Sequence, residues 1–297
     1  MLSTKTTTSD GVELHWEESG HGTPILFVHE FAGDHRSWAP QVKHFAKTHR
    51  AITYAARGYP PSDVPPDVAS YSQQRAMEDA LSVLDAAKVE GAHVVGLSMG
   101  GFATLHLLLA HPDRVRSALI AGVGYGSQPE KQEQFRKESN AIADAFASQG
   151  AAAVAETYAV GPARVQLQNK RPDAWEDFKH ALAKHDATGA ANTMRGVQAA
   201  RPSLYALTEQ LSAIRKPVLI VAGDEDDGSL EPSLMLKRTI STAVLAVFPG
   251  TGHTINLEEP DEFNQILEWF IGEVDRGDWA ARDPRATIGS ITGVKTS

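Results

Sequence analysis

The residues with the clearest chemical potential are Gly96-Leu-Ser98-Met-Gly100. A G-x-S-x-G run marks a nucleophile on a sharp turn when a strand enters it and a helix leaves it. Both conditions are predicted here. His93-Val-Val-Gly-Leu97 is a short apolar strand, and Phe102–Ala110 is a helix stopped by His111-Pro112, because proline cannot continue it. Such a turn lifts the serine hydroxyl above the end of a sheet, and the flanking glycines let helix and strand close up around it. The free N–H groups and dipole at the helix start lie where an oxyanion would form. The expected chemistry is attack of the Ser98 hydroxyl on a carbonyl.

A hydroxyl of ordinary pKa needs a base, and the base needs an orienting acid. After a nucleophile elbow these follow in the order acid, then histidine. His253, the last of twelve histidines, lies in Pro249-Gly-Thr-Gly-His253, between an apolar strand and a helix. The acid is expected in Asp224-Glu-Asp226-Asp227, after the strand Pro217–Ala222; spacing does not choose among these four carboxylates. The loop after the strand Arg116–Gly122, Val123-Gly-Tyr-Gly126, contains no acid.

These residues must be positioned by a sheet. Val12, Leu14 and Trp16 alternate with polar residues as in a half-exposed strand, and Pro24–Val28 and Ala51–Tyr54 are further strands. Helices are predicted over Ser37–Lys47 and Tyr71–Lys88, the latter with Ala76, Ala80, Val83, Leu84 and Ala87 on one face. Continuous apolar strands alternating with helices indicate an α/β fold whose mostly parallel sheet is covered on both faces. From Gly126 to about Ser212 the strand pattern lapses. That stretch is too long for a simple connection and reads as an inserted helical cap. The pattern resumes with Pro217–Ala222, Ala243–Phe248 and a helix over Asp261–Val274. The expected organisation is a core of 1–125 and 213–274, a cap of 126–212 and an irregular tail of 275–297. The tail around Trp279 is either a subunit contact in a homo-oligomer or a frayed end.

Composition narrows the function classes. A net charge of −9 argues against non-specific nucleic-acid binding. The absence of cysteine removes disulfides, thiolate metal sites and cysteine nucleophiles. The polar, threonine-rich start and the lack of a membrane-length apolar run predict a soluble cytoplasmic protein.

Over roughly Val12–Val274 the chain resembles the α/β-hydrolase superfamily. His29-Glu-Phe31 is similar to its His-Gly-x segment, which implies that the backbone N–H groups of Phe31 and Met99 form an oxyanion hole. Gly223-Asp-Glu-Asp226 resembles its G-x-x-D segment, which implies Asp226 as the acid, and Gly252-His253 with Asn256-Leu-Glu-Glu-Pro260 resembles its histidine loop. The serine separates the chain from the aspartate-dependent dehalogenases and epoxide hydrolases of this fold. The implied activity is hydrolysis of a small-molecule carboxylic ester through an acyl-enzyme, with no metal or organic cofactor. A carbon–carbon bond hydrolase, a lactonase, a haloperoxidase-like perhydrolase and a ligand receptor of the same fold are the alternatives.

Two departures stand out. Glu30 occupies the usual glycine position beside the oxyanion loop, where a carboxylate aimed inward opposes the anion, so its side chain is expected to point away. Tyr54-Ala-Ala-Arg57-Gly-Tyr-Pro-Pro-Ser62 resembles the D-x-R-G-x-G-x-S segment, but with Ala55 for the aspartate and Pro60 for the second glycine. Arg57 is expected to pair with Glu30. Within the cap, Tyr158, Arg164, Gln168, Asn169, His185, Arg195, Arg201 and Tyr205 are candidate pocket residues. An arginine lining the pocket would imply an acidic substrate, because guanidinium pairs well with carboxylate.

Overall fold

In the computed structural model, which describes residues 2–287, eight strands form one sheet. They are β1 (Leu2–Thr7), β2 (Glu13–Ser19), β3 (Pro24–Val28), β4 (Arg50–Tyr54), β5 (Ala92–Leu97), β6 (Val115–Ala121), β7 (Val218–Gly223) and β8 (Ala243–Phe248). Their spatial order is β1-β2-β4-β3-β5-β6-β7-β8. The first two pairings are antiparallel, and every pairing from β4 to β8 is parallel. Parallel strands place their C-terminal ends at one edge, so the loops after β3, β5, β7 and β8 converge there.

The inner parallel strands are largely apolar because both sheet faces are covered. In β3, Leu26 and Val28 enter a core built with α2 (Gln73–Ala86) and α3 (Met99–Ala110). Ile25 and Phe27 enter the opposite core, against Trp38 and Phe45 and the helix Pro260–Asp275. Strand β1 escaped the sequence reading because Leu-Ser-Thr-Lys-Thr-Thr carries no apolar alternation. It is an edge strand with no buried residue, ordered by its pairing with β2.

The helical boundaries are tighter than predicted. A short 3₁₀ turn, His35–Trp38, precedes α1 (Ala39–Phe45). Helix α2 begins after Ser72, whose side chain accepts the Arg75 N–H at 3.0 Å, a normal N-cap. Helix α3 begins at Met99, directly after the nucleophile candidate.

Between β6 and β7 the structure is helical. It contains α4 (Gln132–Gln149), α5 (Ala151–Tyr158), α6 (Val165–Lys170), α7 (Pro172–Leu182), α8 (Ala187–Asn192) running into a π-helical turn (Thr193–Gln198), and α9 (Thr208–Ser212). Helices α4 to α8 and the π-helical turn share a third apolar cluster with Phe31, Tyr59, Tyr71 and Met99, so they pack over the sheet edge that carries Ser98, whereas Leu211 of α9 joins the core of α2 and α3. Helices α10 (Asp227–Thr239), α11 (Ile255–Glu258) and α12 (Pro260–Asp275) complete the fold.

Beyond α12, Trp279 packs on Phe270 with ring centroids 4.8 Å apart, and its indole N–H donates to the Thr242 carbonyl at 2.9 Å. This part of the tail is docked, not frayed; residues 288–297 lie outside the described residues. No helix among the described residues is long and apolar enough to cross a membrane.

Candidate active site

Ser98 has φ +53°, a conformation that L side chains rarely adopt. Among the described residues only Lys88 shares positive φ without being glycine. The turn is held by close backbone packing. A Cβ on Gly96 would lie 2.2 Å from the Gly100 carbonyl oxygen, and one on Gly100 would lie 2.1 Å from the Val28 carbonyl oxygen. Both contacts are with backbone, which cannot swing aside, so the two glycines are sterically required. The Ser98 N–H is anchored to the Ala121 carbonyl at 2.8 Å.

His253 follows β8 and is 5% exposed. Its Nδ1 lies 2.9 Å from Asp226 Oδ2, on the loop after β7. Of the four carboxylates in that loop only Asp226 is buried and touches the histidine. Asp224 instead accepts the Thr251 N–H, and Glu225 pairs with Gln166 on the surface. Burial alone would raise the Asp226 carboxyl, but the charge and hydrogen bond of His253, with further hydrogen bonds, hold it below its ordinary value. The Tyr125 hydroxyl donates to Asp226 Oδ1 at 2.7 Å, and its ring meets His253 edge-on. The sequence carries no signal for this role of Tyr125, since a lone tyrosine in the loop after β6 matches no motif. Buried Glu258 accepts the Gly252 and Thr254 N–H groups at 2.6 and 2.9 Å, which fixes the histidine loop.

The loop after β3 carries Phe31. His29 shapes it, since the Ala56 N–H donates to its Nε2 at 3.1 Å, leaving Nδ1 to donate to the Glu30 carbonyl at 2.7 Å. Burial holds this imidazole below its ordinary pKa, so it remains neutral. The Tyr59 hydroxyl donates to the Phe31 carbonyl at 2.8 Å. Among the described residues the Phe31 N–H makes no backbone hydrogen bond. Met99 opens α3, so its N–H has no partner in the helical ladder. Both are thus available to an incoming oxyanion.

Ser98, His253 and Phe31 open onto one cavity of about 260 Å³. Of the candidate pocket residues, Tyr158, Arg164 and Arg201 line it; Gln168, Asn169, His185 and Tyr205 do not. Arg195 faces a neighbouring depression of about 580 Å³ that contains neither Ser98 nor His253, and it pairs with Asp144.

The expected Arg57–Glu30 pair does not form. Arg57 makes a bidentate pair with buried Asp79 on α2 at 2.6 and 2.7 Å, and reaches Asp10 at 2.8 Å. It follows β4 but turns towards α2, whereas Glu30 turns towards the helices between β6 and β7. Glu30 Oε2 accepts from Arg164 Nη2 at 2.6 Å, with both side chains at most 3% exposed. Glu30 therefore does not point away from the site: it borders the cavity with its charge offset by Arg164. Arg201 forms no ion pair among the described residues. It lies between the Phe102 and Phe135 rings, 3.9 and 4.5 Å from their centroids, and donates to Gln198 and the Tyr125 carbonyl. Burial without an acidic partner pulls its pKa down to about 9.

Comparison with known proteins places this geometry in context. Residues 21–266 match the model of the alpha/beta hydrolase family. The chain is 28% identical over 254 residues to 3-oxoadipate enol-lactonase 1 of Acinetobacter baylyi, covering 84% of this chain and 89% of the relative. It superposes on a thermophilic esterase from Thermogutta terrifontis with TM-score 0.81 and 26% identity, covering 92% of this chain and 99% of the other. It also superposes on Est816, described as an N-acyl homoserine lactone degrading enzyme, with TM-score 0.75 and 30% identity, covering 90% of this chain and all of the other.

Proposed function

The chain belongs to the alpha/beta hydrolase family and is a hydrolytic enzyme, and from that premise we propose that it cleaves a carboxylic ester or lactone of a small acidic molecule through an acyl-enzyme on Ser98. One observation carries this reading. The strained Ser98 and the Asp226-held His253 open onto the same cavity.

In the proposed reaction the Ser98 oxygen attacks the substrate carbonyl while His253 Nε2 takes the hydroxyl proton. Asp226, bound to Nδ1, keeps the imidazole in the tautomer whose Nε2 lone pair faces the serine, and stabilises the imidazolium that forms. The N–H groups of Phe31 and Met99 receive the oxyanion, each worth roughly 3 kcal/mol in the transition state. The tetrahedral intermediate collapses as the imidazolium protonates the departing alkoxide, which stays tethered in a lactone. Water, deprotonated by His253, then attacks the acyl carbonyl and releases the acid and free Ser98. The helices of residues 126–212 act as the cap that selects the substrate.

The acidic substrate is inferred from Arg201. Arg164 already has a counter-charge in Glu30, but the Arg201 cation faces the cavity with only neutral acceptors. A carboxylate on the substrate would supply the missing charge. The names of two relatives favour a cyclic ester, while a carbon–carbon bond hydrolase with the same triad remains the second reading.

The test is to assay 4-nitrophenyl acetate, a carboxylated lactone and a ring-cleavage dienoate with wild type and Ser98→Ala. Ser98→Ala is expected to lose turnover and labelling by a fluorophosphonate probe. Wild-type rates in that variant would overturn the assignment, and turnover of the dienoate alone would move the reading to carbon–carbon cleavage.

A further inference from the structure

Away from the catalytic cavity, one polar cluster has no role in the reaction described above. His15 and Glu17 lie two residues apart on β2 and therefore project from the same face of the strand. His35 begins the 3₁₀ turn after the oxyanion loop and is packed against them. The His15 and His35 rings meet edge-on with centroids 5.2 Å apart. His15 is 9% and His35 6% exposed, while the Glu17 side chain retains 21% exposure.

The spacing within the cluster is informative. Glu17 Oε1 lies 3.1 Å from His15 Nε2 and 3.7 Å from His35 Nε2, and the three ligand atoms are all within 4.8 Å of one another. Among the described residues neither ring nitrogen of His35 forms a hydrogen bond. Glu17 lies 3.7 Å from Nε2 and Asp34 3.9 Å from Nδ1, and Nδ1 is a buried polar atom without a partner. An ion held between Glu17 and His35 Nε2 would give that nitrogen the partner it lacks. Two donors bound to one zinc ion at 2.0–2.1 Å in tetrahedral array stand roughly 3.3–3.5 Å apart. The two separations from Glu17 lie on either side of that distance: the one to His15 is a hydrogen bond, and the one to His35 is too long for one.

We propose that His15, Glu17 and His35 form a site for a divalent transition-metal ion of the zinc type, with water completing the coordination. Two imidazoles and one carboxylate are a known zinc ligand set. The partly exposed Glu17 provides the entry path. The ion would tie β2 to the turn that follows the oxyanion loop. Its role is therefore structural, since none of the three ligands lines the cavity holding Ser98.

The test uses the full-length protein stripped with a chelator and titrated with Zn²⁺ by calorimetry, with Co²⁺ as an optical probe. Expected are one Zn²⁺ per chain, a rise in Tm on metal addition, and the visible absorption of four-coordinate Co²⁺. His35→Gln and Glu17→Gln are each expected to weaken binding by more than about tenfold and to abolish the Tm rise. Their activity on the ester substrate without metal should match wild type, and Glu17→Gln, being partly exposed, guards against a folding defect. His44→Gln, which removes the surface pair with Glu268, should leave binding unchanged. Binding below one equivalent, or equal affinity in wild type and both cluster variants, would overturn the proposal.

Discussion

The Glu30–Arg164 pair gives a prediction in which stability and catalysis respond differently. The two side chains are buried, 2.6 Å apart, and belong to elements separated by 134 positions in sequence. At an effective dielectric constant of about 20, that separation gives an attraction of about 6 kcal/mol. Desolvation of the two ions costs several kcal/mol each, so the intact pair contributes little net stability. Removing one partner leaves the other charge buried and is expected to cost about 3–5 kcal/mol. Glu30→Gln and Arg164→Met should each lose about that much in urea unfolding. The double variant should lose less than the sum by at least about 2 kcal/mol. Methionine retains apolar packing where the Arg164 stem and guanidinium lie against Phe178 and Tyr158.

Catalysis separates the two single variants. Arg164→Met leaves a bare carboxylate adjacent in sequence to Phe31, whose N–H is assigned to the oxyanion. If the carboxylate and the oxyanion stand about 6 Å apart, they repel by about 3 kcal/mol at the same dielectric constant. Local relaxation and water entering the space left by the guanidinium relieve some of this, so the expected fall in kcat/KM is roughly 10- to 100-fold. Combining Arg164→Met with Glu30→Gln removes the repulsion and should restore the rate to within about threefold of wild type. The assay is steady-state hydrolysis of 4-nitrophenyl acetate at a temperature where all variants remain folded. Additive stability losses, or a full rate in Arg164→Met, would refute the reasoning.

Two further predictions concern the surroundings of the proposed triad and pH. Tyr125→Phe removes a hydroxyl that donates to the Asp226 carboxylate at 2.7 Å. A hydrogen bond to a charged group contributes about 1.5–3 kcal/mol, so urea unfolding at pH 7 should show a loss of that size. The difference should shrink once acid protonates Asp226; an unchanged midpoint at pH 7 would show that Tyr125 carries no such load. Burial lowers the pKa of both His93 and His185 to about 4, so between that value and about 6.5 the unfolded chain binds protons that the folded chain refuses. Stability must therefore fall as pH drops through this window, by about 2 kcal/mol per histidine at pH 5. Urea unfolding at pH 7.5 and 5.0 checks this, and His93→Gln should lessen the dependence by about one histidine's share while that of His185 remains; equal stability at both pH values would contradict it.

The parts of the site that were legible in the sequence are those determined locally. The elbow at Ser98 needs a strand, two glycines and a helix within a short stretch, and steric limits on the backbone make that combination specific. His253 could be placed because its glycine-rich loop directly follows an apolar strand. Asp226 was not separable from its three acidic neighbours by chemistry. The family resemblance pointed to it, and burial against His253 distinguishes it in the structure. Strand β1 was missed because an exposed edge strand needs no apolar alternation.

Long-range charge pairing was decided by tertiary structure. Arg57 and Glu30 follow neighbouring strands, which suggested a pair, yet each side chain was drawn to a carboxylate or guanidinium on a different packed helix. The Asp79 and Arg164 partners come from α2 and from the turn before α6, and helix packing fixes which charges become buried together. The same holds for Arg201 between two phenylalanines and for His15, Glu17 and His35 across two elements. Sequence determines local backbone geometry and burial patterns because both depend on near neighbours. Which buried polar groups meet depends on how whole helices seat on the sheet, and for this chain only the folded structure settles that.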